Sequence, residues 1–117
     1  NLNAALACAQ LEQLDKLLVN KRQLALEYAS FFVTQGINFR QELEDTKANY
    51  WLMCVELENK NDRDLFLKYS NENNVMSRPI WQLMHRLPMY EHCQRDAQKN
   101  ALFLEERIVN IPSSARF

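Results

Sequence analysis

The sequence predicts an α/β fold of the α+β kind: a long N-terminal helix, then a small, mainly antiparallel sheet with helices packed on one face. Three observations predict it. Apolar residues recur at three-to-four spacing over residues 3–34, the period of a helix. Residues 49–57 read NYWLMCVEL, rich in aromatic and β-prone types, and predict a buried strand. Ile108–Ile111 is a short apolar run stopped by Pro112 and predicts a closing strand.

The elements follow in order. In the first helix Leu11, Leu14, Leu18, Ala25, Tyr28 and Phe32 form one apolar stripe, with Glu12, Lys16, Lys21, Arg22 and Glu27 off it. Gly36 is the one glycine and falls where a helix C-cap belongs, because a left-handed residue costs glycine little. Residues 38–47 are polar and acidic and read as a loop. Residues 59–62 read as a turn, with Asp62 placed to cap the next helix through its carboxylate. That helix runs to about Asn73, with Leu65, Phe66 and Tyr69 inward. Residues 75–77 read as a short strand, and Pro79 pushes Arg78 to extended geometry. Residues 94–107 read as a last helix through Ala97, Ala101, Leu102, Leu104 and Glu105.

Composition narrows the function. A chain of 117 residues suits a single domain, residues 1–117, with a modest core. One glycine leaves no room for a Gly-rich phosphate cradle. The formal net charge of −1 carries no electrostatic footprint for nucleic acid. No apolar run approaches the ~18 residues that span a membrane. The opening NLNAALACAQLEQLD has no basic leader. Cys8, Cys54 and Cys93 are odd in number and far apart, which argues for a reducing compartment.

The most informative stretch is residues 75–90, VMSRPIWQLMHRLPMY. It gathers Arg78, Trp81, His85 and Tyr90 with two prolines, the ingredients of a binding wall: rigid backbone, π surface, fixed cation and titratable ring. A zinc site built from His85, His92 and Cys93 is the weaker reading, because structural zinc wants paired ligands at short spacing twice over.

The opening segment AALACAQLEQLDKLLVNKRQLALEY resembles the helix that begins the C-terminal domain of DegT-type aminotransferases, fold-type I enzymes that use pyridoxal phosphate. The pairs Ala4-Ala5, Gln10-Leu11, Leu14-Asp15 and Lys21-Arg22 carry the likeness. The strand NYWLMCVEL, Arg63-Asp64, Arg78-Pro79, the His85 and Pro88-x-Tyr90 run, and residues 110–114 (NIPSS) recur in the same order, so it covers nearly the whole chain. Ala7 stands where the family commonly has glycine. The wording most resembles the branch that aminates UDP-linked 4-keto amino sugars.

The resemblance implies a fragment: the C-terminal small domain of a longer, cytoplasmic, homodimeric enzyme. That enzyme would move an amino group, normally from glutamate, to a nucleotide-linked keto-sugar with pyridoxal phosphate (PLP) as cofactor. The Schiff-base lysine and the cofactor's phosphate site would lie upstream, so the fragment is expected to bind no cofactor and to be inactive. Lys16, Lys21, Lys47, Lys60, Lys68 and Lys99 fall at solvated positions, and none is assigned as the aldimine lysine. The implied substrate contacts are Arg78, an anion or hydroxyl clamp, Trp81, a stacking face, and His85, a hydrogen-bond donor. Each has a plainer reading: a salt bridge for Arg78, a core cap for Trp81, a structural hydrogen bond for His85. Tyr90 reads as packing. The competing reading of the whole chain is a non-enzymatic α/β interaction module.

Overall fold

The computed structural model describes residues 1–116. Helices α1 (Leu2–Leu11) and α2 (Leu14–Thr34) lead into β1 (Asn38–Phe39) and β2 (Met53–Glu56). Helix α3 (Lys60–Glu72), strand β3 (Arg78–Pro79), helix α4 (Lys99–Glu105) and strand β4 (Ile108–Ile111) follow. Two 3-10 turns, Met84–Arg86 and Pro88–Tyr90, lie between β3 and α4. The four strands form one antiparallel sheet in the order β1-β2-β4-β3.

Strand alternation builds the core. Met53 and Val55 point to one face of β2, and their cross-strand partners on β4 are Ile111 and Val109. Leu24, Ala25 and Phe32 of α2 close over that face, with Phe39 of β1. Phe66 and Leu67 of α3 pack against the same cluster. The expected antiparallel sheet with helices on one face is what forms.

The N-terminal helix departs from expectation. It is two helices, broken at Glu12 and Gln13. The last turn of α1 tightens, with the Gln13 N–H donating to the Gln10 carbonyl at 3.1 Å, and Gln13 leaves helical geometry at φ −106 and ψ 0. Neither proline nor glycine marks the spot, so periodicity runs through it. No residue of α1 is buried. Leu11 and Leu14 are exposed, and the stripe reaches the core only through the later turns of α2, where Leu24 joins Ala25 and Phe32. The radius of gyration is 17.1 Å, against about 13 Å for a compact domain of this size. A helix without burial accounts for such an extended shape.

Other boundaries shift for local reasons. The expected 38–47 loop begins with β1, because Asn38 and Phe39 pair with Glu56 and Val55. Strand β2 starts only at Met53, since Tyr50 sits in the left-handed region at φ +49. Asn59, not Asp62, caps α3: its side chain accepts from the Asp62 N–H at 3.0 Å and donates to the Asp62 carboxylate at 2.7 Å. Asn73 and Asn74 do end that helix, with Asn74 at φ +61. Its inward face is Phe66, Leu67 and Ser70, whereas Leu65 and Tyr69 are exposed. Residues 75–77 form no strand because they fold back on α3: the Val75 N–H donates to the Ser70 carbonyl at 2.8 Å, and the Ser70 and Ser77 hydroxyls meet. Pairing with β4 begins one residue later. Residues 94–98 are not helical, because the Asp96 carboxylate accepts from the Gln98 N–H and Gln98 is left-handed at φ +46.

Gly36 sits as expected, at φ +67 just after the C-cap of α2. The Ile37 N–H donates to the Phe32 carbonyl and the Gly36 N–H to the Val33 carbonyl, the paired bonds of a Schellman ending. An added Cβ there meets nothing within 4 Å. The cost of Gly36→Ala is therefore backbone strain alone, and urea denaturation should report a loss of about 1–2 kcal/mol.

Candidate functional site

A cleft of about 550 Å³ opens at the β3 edge of the sheet. Three separate segments line it: Trp51 before β2, Arg78 of β3 with Trp81 beyond it, and the run from Asn110 of β4 into Ser113 of the C-terminal segment. Arg78 and Asn110 are direct cross-strand partners, so both side chains leave the same face of the sheet. Arg78 is exposed and makes no ion pair among the described residues; its guanidinium approaches only the Met76 sulfur, at 3.7 Å. The plainer salt-bridge reading of Arg78 has no counterpart here.

Trp51 and Trp81 stand beside each other, ring centroids 6.4 Å apart at 32°. They remain 68% and 66% exposed, so neither caps the core. Two open indole faces beside a free guanidinium form a surface for a flat or sugar-like group carrying negative charge.

The structure thus brings Arg78 and Trp81 together. His85 is not among the residues lining the cleft. It lies in the first 3-10 turn, half-buried, with its Nδ1 enclosed and without a hydrogen-bond partner. Tyr90 ends the second turn and is partly exposed. Among the described residues no three His, Cys, Asp or Glu side chains converge as a metal site.

Sequence reasoning missed three residues around the cleft. Trp51 reads as part of a strand, but the left-handed Tyr50 turns it outward. Glu105 reads as one residue in a helix. It is instead a buried carboxylate that accepts from the Leu83 N–H at 2.9 Å and forms an ion pair with the Arg86 guanidinium at 2.8 Å. This pins the segment between Trp81 and His85 to α4. Lys21 reads as solvated, yet it is partly buried and donates to the Trp51 and Ser113 carbonyls, and burial lowers its pKa. The offset of Lys21 from the apolar stripe carried no hint of this, because its partners are distant in sequence.

The loop behind Trp51 is held by Arg22. Its guanidinium donates to the Ala48 carbonyl and the Glu42 carboxylate and lies 5.7 Å from the Tyr50 ring centroid. The other Glu42 oxygen accepts from the Ala48 N–H at 2.7 Å. That backbone bond, with Arg22, holds the Glu42 carboxyl below the usual glutamate range. Burial pushes the Cys54 thiol up, away from reactivity, while Cys8 and Cys93 are exposed and unpaired.

The architecture is that of a small aminotransferase domain. It superposes on TlmJ, an aminotransferase from Streptoalloteichus hindustanus, with a TM-score of 0.81 over 92% of this chain and 29% of that one, at 17% identity. The description of the DegT/DnrJ/EryC1/StrS aminotransferase family matches residues 1–117, and the chain belongs to that family. It is 35% identical over 119 residues to the GDP-perosamine synthase of Vibrio cholerae, covering 97% of this chain and 32% of that protein. It is 27% identical over 115 residues to the GDP-perosamine synthase of Escherichia coli O157:H7, covering 97% and 30%. The chain therefore spans about a third of the length of these relatives.

The family uses PLP. The cleft lining contains no lysine to form a Schiff base and no carboxylate to face a pyridine nitrogen. The residues that line this cleft do not by themselves fit the cofactor.

The depressed Glu42 carboxyl sets an acid limb. Its contribution to stability is complete above the unfolded glutamate pKa and is lost as pH falls through the lower folded value. Thermal melting of Glu42→Gln should show a shallower decline than the parent over that acidic window, and a lower melting point at neutral pH.

Proposed function

We propose that this chain is the C-terminal domain of a longer PLP-dependent sugar aminotransferase. In that enzyme it forms one wall of the cleft that receives a nucleotide-linked keto-sugar. Arg78 clamps a diphosphate or hydroxyl, Trp81 and Trp51 stack on a flat face, and His85 donates where the rest of the enzyme closes over it. The observation that carries the reading is the cleft itself: a guanidinium with no ion pair among the described residues beside two open indoles, assembled from three segments of a family member.

The cofactor, with its lysine, belongs to the part of the enzyme outside these residues, and the isolated domain is inactive because covalent chemistry needs that amine. Helix α1 supports the domain reading. Residues 1–11 carry no charged side chain, and none is buried. A ten-residue helix without tertiary packing is marginal in water, so α1 packs on the remainder of the parent protein or on its homodimeric partner. The two relatives are named for a GDP-linked sugar, and the wording of the chain resembles a UDP branch, so assays with both nucleotides identify the base. The enzyme acts in the cytoplasm.

Intact mass spectrometry of the endogenous polypeptide tests the domain reading. A species several times heavier than 13.9 kDa is expected. That species should form 2-oxoglutarate from glutamate when given a nucleotide-linked 4-keto sugar. Arg78→Ala in it should raise KM about tenfold or more, since hydrogen bonds to charged groups contribute about 1.5–3 kcal/mol. A native mass equal to this chain would replace the enzyme by a binding module.

A further inference from the structure

We infer that Lys21 is the positioning residue of the cleft. Its ammonium fixes the wall that carries Trp51 to the C-terminal segment, and so sets the spacing of the indole pair. The inference rests on the cleft reading above but concerns a residue that touches no ligand.

Trp51 and Ser113 both line the cleft, two residues beyond the last β2–β4 pair, Met53 and Ile111, where the ladder itself has ended. Lys21 reaches from α2 and donates to both carbonyls, Ser113 by a short bond and Trp51 at 3.4 Å. The Ser113 hydroxyl donates to the same Trp51 carbonyl at 3.0 Å, which closes a three-cornered network. Neighbouring residues of α2 hold the same segment. Tyr28 donates its hydroxyl to the Pro112 carbonyl at 3.0 Å, and the Asn20 amide exchanges two bonds with the Arg116 backbone. The C-terminal segment is strapped along α2 at three points, and only the Lys21 point also engages Trp51.

Both carbonyls that Lys21 serves lie just outside β2 and β4, on residues that line the cleft. Burial lowers its pKa, as expected of an ammonium drawn out of water to serve carbonyls and not carboxylates. The adjacent Arg22 anchors the loop just behind Trp51 through Ala48 and Glu42. The two neighbouring cations therefore act in sequence along one loop. Arg22 shapes it, and Lys21 places its end against the strap.

The test uses the exciton signal of the Trp51–Trp81 pair in circular dichroism, assigned by its loss in Trp51→Phe. Lys21→Met should lose most of that signal while retaining the helical spectrum, and Lys21→Arg should restore it at least in part. In the intact aminotransferase, Lys21→Met should raise KM for the nucleotide-sugar about tenfold with kcat within about twofold, the pattern of weakened binding. An unchanged exciton signal in Lys21→Met overturns the inference. So does a helical spectrum lost together with the signal in Lys21→Met and in the milder Lys21→Gln, since Lys21 would then hold the fold and not the cleft. A lost signal with unchanged KM keeps Lys21 as the positioning residue of the indole pair and instead overturns the assignment of the cleft to substrate.

Discussion

Val55 and Val109 face each other across β2 and β4, each with 0% of its surface exposed, and the rest of the molecule depends on that register. A slip of one residue would send Met53, Val55 and Val109 to the solvent face and bring Cys54, Glu56 and Asn110 inside. The same register places Asn110 opposite Arg78 on β3 and carries β4 out to Pro112 beside the cleft. One face of the sheet thus serves cohesion. The other face and its β3 edge are left for recognition, and the pairing that makes the first fixes the geometry of the second.

Helix α2 links the two faces. Leu24, Ala25 and Phe32 seal the core, while Asn20, Lys21 and Arg22 reach past it to loops beyond the ends of the strands. An isolated surface ion pair contributes little. Here, however, the cations serve backbone carbonyls, which would otherwise need water. Helix α2 therefore serves both the loops and the core between Asn20 and Phe32. Its predecessor α1 has no buried residue, in a chain that spans about a third of the length of these relatives.

How much of this was legible in the sequence follows from the range of the forces involved. The amphipathic period of α2, the alternation in Met53–Glu56 and the glycine ending at Gly36 are local, and they could be read directly. So could the richness of residues 75–90, because Arg78 and Trp81 lie close in sequence. The helix break at Gln13 and the left-handed Tyr50 and Gln98 were hidden, since none of these residue types demands the conformation it adopts. The partners of Trp81, Lys21 and Glu105 were hidden for another reason: each contact joins segments whose proximity only the sheet order creates.

The chain has one glycine, yet among the described residues four others hold positive φ: Asp45, Tyr50, Asn74 and Gln98. Two of them bound the segments that reach the cleft, Tyr50 just before Trp51 and Asn74 two residues before Met76. Glycine would adopt these angles without strain, but it would also leave the unfolded chain many more conformations to lose. By using side-chain-bearing residues at its bends, the protein keeps those walls stiff. A ligand entering the cleft then meets a surface already ordered by folding, and little of its binding energy is diverted to arranging the receptor.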